Sequence, residues 1–504
     1  MQEESFRSRY LVKIASSVII AALNMVIQVI LPRALSVEEF GYYSYNLNVF
    51  TSTVVLANLS MSNALVAKFS KRTEEIGIVF FYLKYYLVEI LFLSIGLLAL
   101  FSLDFIRHSF AGQSILTVFL GLEVALATKL LGDAISILDA MAIAKISAFY
   151  QIILKIVVAS FVLCTYLLGR LNLLVFYCGQ ILGITFIGLV LINIAVRYQR
   201  KKYPREVIGN KKQYIKEYFV YCRPLVLSAI ASQFIIILMN WLLIRYAGVK
   251  EQAMFGVAWQ LNTLVSYIFS PYAELSKREY AVLSEDKELL GRFYLNSLKR
   301  MFWITSYFAC FIGFCSSWVV RLLYGTKYIG AEKITLLIMI YTIYQAWGQI
   351  NGSFMLATEK TKMNAYIGIL NQIVIVVLMF MFQVPNVIWP QGLGSVGVAM
   401  VYLISNILIV FIMIFMVSKE LGINPWRALN IQLVPLMLCS ILALILYCVM
   451  NFLIKENSIN ILLCKLFVSG IVYTLLLLVF IYAFPEELGF EKKDILNIMN
   501  KWNG

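Results

Sequence analysis

Apolar residues along this chain run in blocks of about 20, the length at which an α-helix crosses roughly 30 Å of hydrocarbon, and polar residues collect between the blocks. About fourteen such spans are expected, over residues 11–31, 42–66, 78–101, 113–134, 145–168, 172–196, 219–247, 253–275, 298–323, 331–356, 363–384, 396–417, 431–454 and 461–484. They are too long and too continuously apolar for the alternating strands of a barrel, and lipid cannot satisfy unpaired backbone groups. The pattern therefore predicts an all-α integral membrane protein. Composition agrees: the 504 residues are 61% hydrophobic and only 14% charged.

Charge changes the picture in one respect, which is orientation. Lys and Arg concentrate in the termini and in the connections after even-numbered spans, so both termini are expected in the cytoplasm. The net charge of +15 is then a topology signal, and no nucleic-acid partner is expected. The richest run, RYQRKKYPREVIGNKKQYIKEY at 197–218, joins two spans and reads as a positive loop against anionic lipid heads. AELSKREYAVLSEDKELLGRFYLNSLKR, at 273–300, mixes both signs and reads as a solvated interfacial helix. The leader MQEESFRSRYLVK precedes a full-length apolar stretch without a small-residue cleavage site, so the first span is expected to stay in the membrane.

The eight cysteines (Cys164, Cys178, Cys222, Cys310, Cys315, Cys439, Cys448 and Cys464) lie in or beside apolar segments without CxxC spacing, and read as packing residues. His108, the single histidine, has no ligand cluster around it, and no metal site is expected. A phosphate-binding GK[ST] loop, a GxSxG elbow and paired carboxylates in a water-soluble cleft are all missing. A transporter without catalytic chemistry and without a cofactor is expected, proton or sodium coupling staying open.

Internal repetition organises the spans. ISILDAMAIAKISAFYQIILKIVV at 135–158 aligns without a gap to GSFMLATEKTKMNAYIGILNQIVI at 352–375, matching Ala140, Lys145 and Ala148 to Ala357, Lys362 and Ala365. At a nearly equal offset, LPRALSVEEFGYYSYNLN runs beside LIRYAGVKEQAMFGVAWQLN, with Arg33 over Arg245, Val37 over Val249 and Glu39 over Glu251. The expected organisation is an N-lobe at 1–197, a basic cytoplasmic linker at 198–218, a C-lobe at 219–420, and a C-terminal helix pair with a short tail at 421–504. Two parallel six-helix lobes of this kind usually hold a substrate in a central cavity.

Polar residues at helical spacing mark the cavity side. The first span carries Lys13, Ser17, Asn24 and Gln28 on one stripe, and the seventh carries Arg223, Gln233 and Asn240. The second offers Asn48, Thr51, Asn58 and Ser62, the eighth Asn262, Ser266, Ser270 and Glu274. The plainer alternative is hydrogen bonding between packed helices, at about half a kcal/mol each. Ionisable groups inside spans are Lys84 and Glu89 (third), Glu123 (fourth), Lys155 (fifth) and Lys465 (fourteenth), and burial at mid-bilayer costs about 2.5–3.5 kcal/mol on insertion scales. Lys84 and Lys465 stand near span ends, where a long side chain reaches the interface. Glu123 and Lys155 are deep enough to pair or to face a wet cavity, and Lys129 with Asp133 suggests a helical ion pair at the membrane surface. Tyr341, Tyr344, Gln345 and Gln349 on the tenth span suit sugar faces and hydroxyls, or interhelix packing.

LPRALSVEEFGYYSYNLN resembles the exit of the first helix in the bacterial polysaccharide transporter family, the O-antigen and capsule repeat-unit flippases of the multidrug/oligosaccharidyl-lipid/polysaccharide exporter superfamily. LLYGTKYIGAE at 322–332, LATEKTKMNAYIGILNQIV and GLGSVGVAMVYLISN at 392–406 are similar to later segments of that family, with Val398 where alanine is usual. The resemblance covers most of residues 1–420. It implies a flippase carrying undecaprenyl-diphosphate-linked oligosaccharide from the cytoplasmic to the periplasmic leaflet of the inner membrane, in lipopolysaccharide or capsule synthesis. Polysaccharide polymerase and chain-length machinery are the implied partners, besides membrane lipids. Lys13 and Arg223 would meet the diphosphate on the way in, Arg33 and Arg245 on the way out. With them, Asn24, Gln28, Asn58, Lys84, Glu123, Lys155, Asn240 and Tyr344 complete the candidate substrate-binding set. An ion-coupled multidrug antiporter of the same superfamily and a lipid II flippase are the alternatives.

Overall fold

The computed structural model describes residues 6–141, 143–203, 211–390, 392–456 and 458–484. Within them every long element is an α-helix: α1 (Phe6–Ala34), α2 (Val37–Asn58), α3 (Met61–Phe69), α4 (Gly77–Leu100), α5 (Asp104–Ser109), α6 (Ile115–Ala140), α7 (Ala144–Leu167), α8 (Leu173–Lys202), α9 (Lys211–Ala247), α10 (Val249–Val282), α11 (Lys287–Phe314), α12 (Ser316–Tyr324), α13 (Ala331–Ala357), α14 (Thr361–Gln383), α15 (Gly394–Leu421), α16 (Pro425–Asn430), α17 (Leu433–Leu453) and α18 (Ile459–Ala483). Each of the fourteen expected spans falls on one long helix or on a bent pair. Nine described helices are long and apolar enough to cross a membrane alone, and the pairs α2/α3 and α11/α12 raise this to eleven. The other three are α1, of which the stretch Val18–Ala34 is apolar but short, and α10 and α13, whose polar residues dilute their hydropathy. The protein is an all-α, multi-pass membrane protein.

Local chemistry sets the element ends. In LPRALSVEEFG, Pro32 and Arg33 close α1, and Ser36 and Glu39 form a capping box: Glu39 N–H donates to Ser36 Oγ at 3.1 Å, Ser36 N–H to Glu39 Oε2 at 3.0 Å. The glycine of the same stretch is a packing device, since a Cβ on Gly41 would fall under 3.0 Å from the Val249 carbonyl oxygen and 2.6 Å from Val249 Cγ1. The mixed-charge segment at 273–300 is not a separate interfacial helix, because α10 continues to Val282 and α11 starts at Lys287, capped by Asp286. Of the basic run, residues 204–210 lie outside the described part, while α8 and α9 extend into it from either side.

Contacts divide the chain into two compact units, 1–253 and 254–504. In the first, α6 packs on α8, α1 on α7, α2 on α9 and α6, and α4 on α6. In the second, α13 packs on α15, α11 on α13, and α14 on α15. The fourth span pairs with the sixth as the tenth pairs with the twelfth, and the third with the fourth as the ninth with the tenth. The last helices are woven in: α17 lies on α11, α18 on α12 and α17. Lys465 does not reach for an interface. It is fully buried on α18, donates to Asn451 Oδ1 at 3.2 Å and lies 5.7 Å from the Trp318 ring centre.

Candidate functional site

The second span is broken in mid-course. Leu59 and Ser60 adopt left-handed φ of 49° and 65°, unusual for residues with side chains, and α3 departs from α2 at 56°. Asn58 seals the break, its Oδ1 accepting from Ser62 N–H and Oγ at 3.0 Å each. Interrupted backbone at membrane depth persists only where protein or a wet cavity satisfies it. In the register that places Arg33 over Arg245, Leu59 falls on Pro271, a proline inside the continuous helix α10, so the first repeat breaks where the second carries a proline.

Around the first break lies a buried ionic cluster. Lys129 Nζ on α6 is 3.2 Å from Glu89 Oε2 on α4, 3.1 Å from Asp133 Oδ2 and 2.8 Å from Tyr82 OH. Tyr82 donates to Asp133 Oδ2 at 2.6 Å, and Lys129 stands 4.4 Å from the Tyr86 ring centre, a cation–π distance. Asn58 Nδ2 donates to Tyr82 OH at 3.3 Å and to Glu89 Oε2 at 3.5 Å, which ties the cluster to the helix break. Glu89 and Asp133 are 5% and 6% exposed, far from a surface location. The expected Lys129–Asp133 pair forms, but midway along α6 and shared with Glu89. An i, i+4 pair inside an otherwise apolar helix was its sequence signal; Tyr82 and Tyr86 gave none.

A second polar group joins α2, α9 and the start of α10. Asn240 Oδ1 accepts from Asn48 Nδ2 at 3.1 Å and from Gln252 Nε2 at 2.9 Å, and Gln252 also reaches Ser44 Oγ at 3.4 Å. Lys250 pairs with Glu38 at 3.3 Å, and the backbone N–H at the start of α2, then Lys250, hold that carboxyl below the ordinary carboxylate range. Arg245 lines an adjacent cavity of about 440 Å³ with Asp104, Phe105, His108 and Trp241.

The remaining candidates are dispersed. Lys84 and Arg223 border adjoining apolar grooves between α4 and α9, of about 610 and 480 Å³, which share Phe81, Tyr85 and Ile215. Glu123 accepts from Ser94 at 2.9 Å, and no ion pair with Lys155 forms among the described residues; Lys155 is half-buried on α7. Arg33 is exposed at the end of α1, Asn24 half-buried, and Gln28 has a buried side-chain oxygen. The Lys13, Ser17 and Glu274 side chains lie outside the described residues. In the second unit, Tyr344 donates to Gln432 at 3.1 Å, Ser270 to Gln349 at 3.4 Å and Thr342 to Asn262 at 2.8 Å. Tyr341 belongs to an aromatic group with Trp259 and Tyr402, at ring-centre distances of 5.8 and 5.5 Å. Among the described residues no cluster suits a metal ion.

Residues 30–333, more than half of the chain, match the family described as polysaccharide biosynthesis protein. The chain belongs to that family. This polysaccharide biosynthesis protein has the fold of the superfamily that its motifs resemble. An inward-closed structure of the lipid II flippase MurJ shares 16% identity, covering 94% of this chain and 98% of that one, with a TM-score of 0.64. An inward-facing multidrug resistance MATE family transporter of the MOP superfamily shares 14% identity over 82% of this chain and 94% of its own, at 0.58. An outward-facing MATE structure gives 15%, 81%, 95% and 0.54. At such identities the likeness is one of fold. No curated protein matches. The polysaccharide biosynthesis protein thus shares its fold with solved MurJ and MATE structures.

Proposed function

We propose that this transporter moves undecaprenyl-diphosphate-linked oligosaccharide, an O-antigen or capsule repeat unit, from the cytoplasmic to the periplasmic leaflet of a bacterial inner membrane, with both termini cytoplasmic. A diphosphate bearing sugars cannot cross hydrocarbon unaided, because withdrawing ionised groups from water costs tens of kcal/mol in the idealised limit. The observation that carries this reading is the groove between α4 and α9. Its wall is apolar and aromatic, as a prenyl chain requires, and Lys84 and Arg223 border it as phosphate-binding cations, near the ends of helices expected on the cytoplasmic side. The family match supports a saccharide cargo, and the lipid II flippase among the fold relatives supports a lipid-linked one. The polymerase and chain-length machinery are partners in this reading.

The test is reconstitution in liposomes with either a fluorescent prenyl-diphosphate glycan or a cationic dye. Movement of the glycan and not of the dye is expected. Movement of the dye alone would replace the proposal by a multidrug antiporter, and equal use of lipid II would remove the repeat-unit assignment.

A further inference from the structure

Glu89 holds a carboxylate with one oxygen in use. Its Oε2 accepts from Lys129 and Asn58, whereas Oε1 is buried and has no hydrogen-bond partner among the described residues. The charges around it do not balance: one ammonium faces two carboxylates, leaving one negative charge in excess midway along two membrane-spanning helices. A buried group left so in a low-dielectric interior is costly, and ionisable residues inside membranes commonly mark proton paths. Lys129 already fills the place between Glu89 and Asp133, so a metal cation would meet a like charge there. A proton meets none.

We propose that Glu89 Oε1 takes up one proton and releases it again in each transport cycle, and that this charge change works the break between α2 and α3. The reading rests on the chain being a transporter, whatever its cargo. On uptake the O–H bond forms at Oε1, the carboxylate becomes a neutral acid, Lys129 stays balanced by Asp133, and the cluster's excess charge disappears. The Asn58 hydrogen bond to Oε2 loses its charge assistance at the same step. Asn58 is also the residue whose Oδ1 caps the start of α3 through Ser62, so the proton and the helix break share one side chain. The groups that face Glu89 or its immediate neighbours are Lys129, Asp133 and Glu123 on α6, Tyr82, Tyr85 and Tyr86 on α4, Asn58 and Ser62 at the break, and Cys222 of α9 beside Tyr85. None of them supplies a second cation.

The purified full-length chain in lipid nanodiscs is titrated by infrared difference spectroscopy between mildly acidic and mildly alkaline buffer. A protonated-carboxyl band is expected in the wild type, lost in Glu89→Gln and kept in Glu123→Gln. Persistence of the band in folded Glu89→Gln overturns the proposal. If Glu89→Gln does not purify as a monodisperse protein, Glu89→Asp must move the midpoint of the band, and an unmoved midpoint overturns it equally. In liposomes, an imposed proton gradient should change the wild-type transport rate and leave the Glu89→Gln rate unchanged. A cargo other than lipid-linked glycan would defeat the functional assignment above while the infrared result still decides this one.

Discussion

Replacing Gly41 by alanine tests the close approach between the start of α2 and the start of α10. The new Cβ would lie under 3.0 Å from the Val249 carbonyl oxygen and 2.6 Å from its Cγ1. The valine side chain can rotate; the carbonyl cannot leave without moving α10. That start is held by the Lys250–Glu38 pair and by Gln252 on Asn240 and Ser44. Overpacking of this kind costs about 1–3 kcal/mol. Alanine also favours a helix interior over glycine by about 0.8–1.0 kcal/mol, so the contact must be isolated by comparison. Gly96→Ala and Gly132→Ala supply it, since both sites are helical with no atom within 4 Å of the added Cβ. Thermal melting of the three purified variants in one detergent should place the controls at or above wild type and Gly41→Ala below both, by the equivalent of about 1–3 kcal/mol. Melting of Gly41→Ala together with the controls would refute the packing argument.

Lys129→Met removes the shared cation and should destabilise by about 3–5 kcal/mol in the same assay, with most of the loss restored when Glu89→Gln and Asp133→Asn are added. Alanine at Arg33 or Arg245 is expected to abolish surface-glycan export at matched membrane expression, while lysine, which keeps the charge and loses the bidentate fork, preserves part of it; normal export by the alanine variants would make both arginines anchors. Reporters fused after residues 210 and 504 should read cytoplasmic and one after 388 periplasmic, a periplasmic C-terminus counting against fourteen spans.

The fold was largely legible because spanning length is a one-dimensional property: about 20 apolar residues announce a helix whatever they pack against. What that pattern cannot express is a bend. Residues 42–66 read as one span, yet two left-handed residues without a glycine or proline divide it at Leu59. Polar stripes were legible as stripes, since helical spacing is local, and Asn58 and Asn240 do lie buried in polar contacts. Their partners were not, because Asn48 and Gln252 reach Asn240 from other helices and Lys129 reaches Glu89 across a helix interface. Lys465 shows the same limit: nearness to a span end suggested an interface, whereas Asn451 of the preceding helix holds it inside.

The Lys129 cluster also bears on how the chain enters the bilayer during synthesis. At the translocon each charge near a helix centre costs about 2.5–3.5 kcal/mol, and each Leu, Ile, Phe or Val returns about 0.3–0.6. Helix α4 emerges first, with the deep Glu89 and, nearer its start, Lys84 set among apolar residues that largely offset them. Helix α6 brings Glu123, Lys129 and Asp133 together, a load that its own apolar residues offset poorly. Its ammonium and carboxylates find their partners on α4. Because α4 is made before α6, the countercharge and hydrogen-bond partners that α6 needs are already synthesised when it emerges.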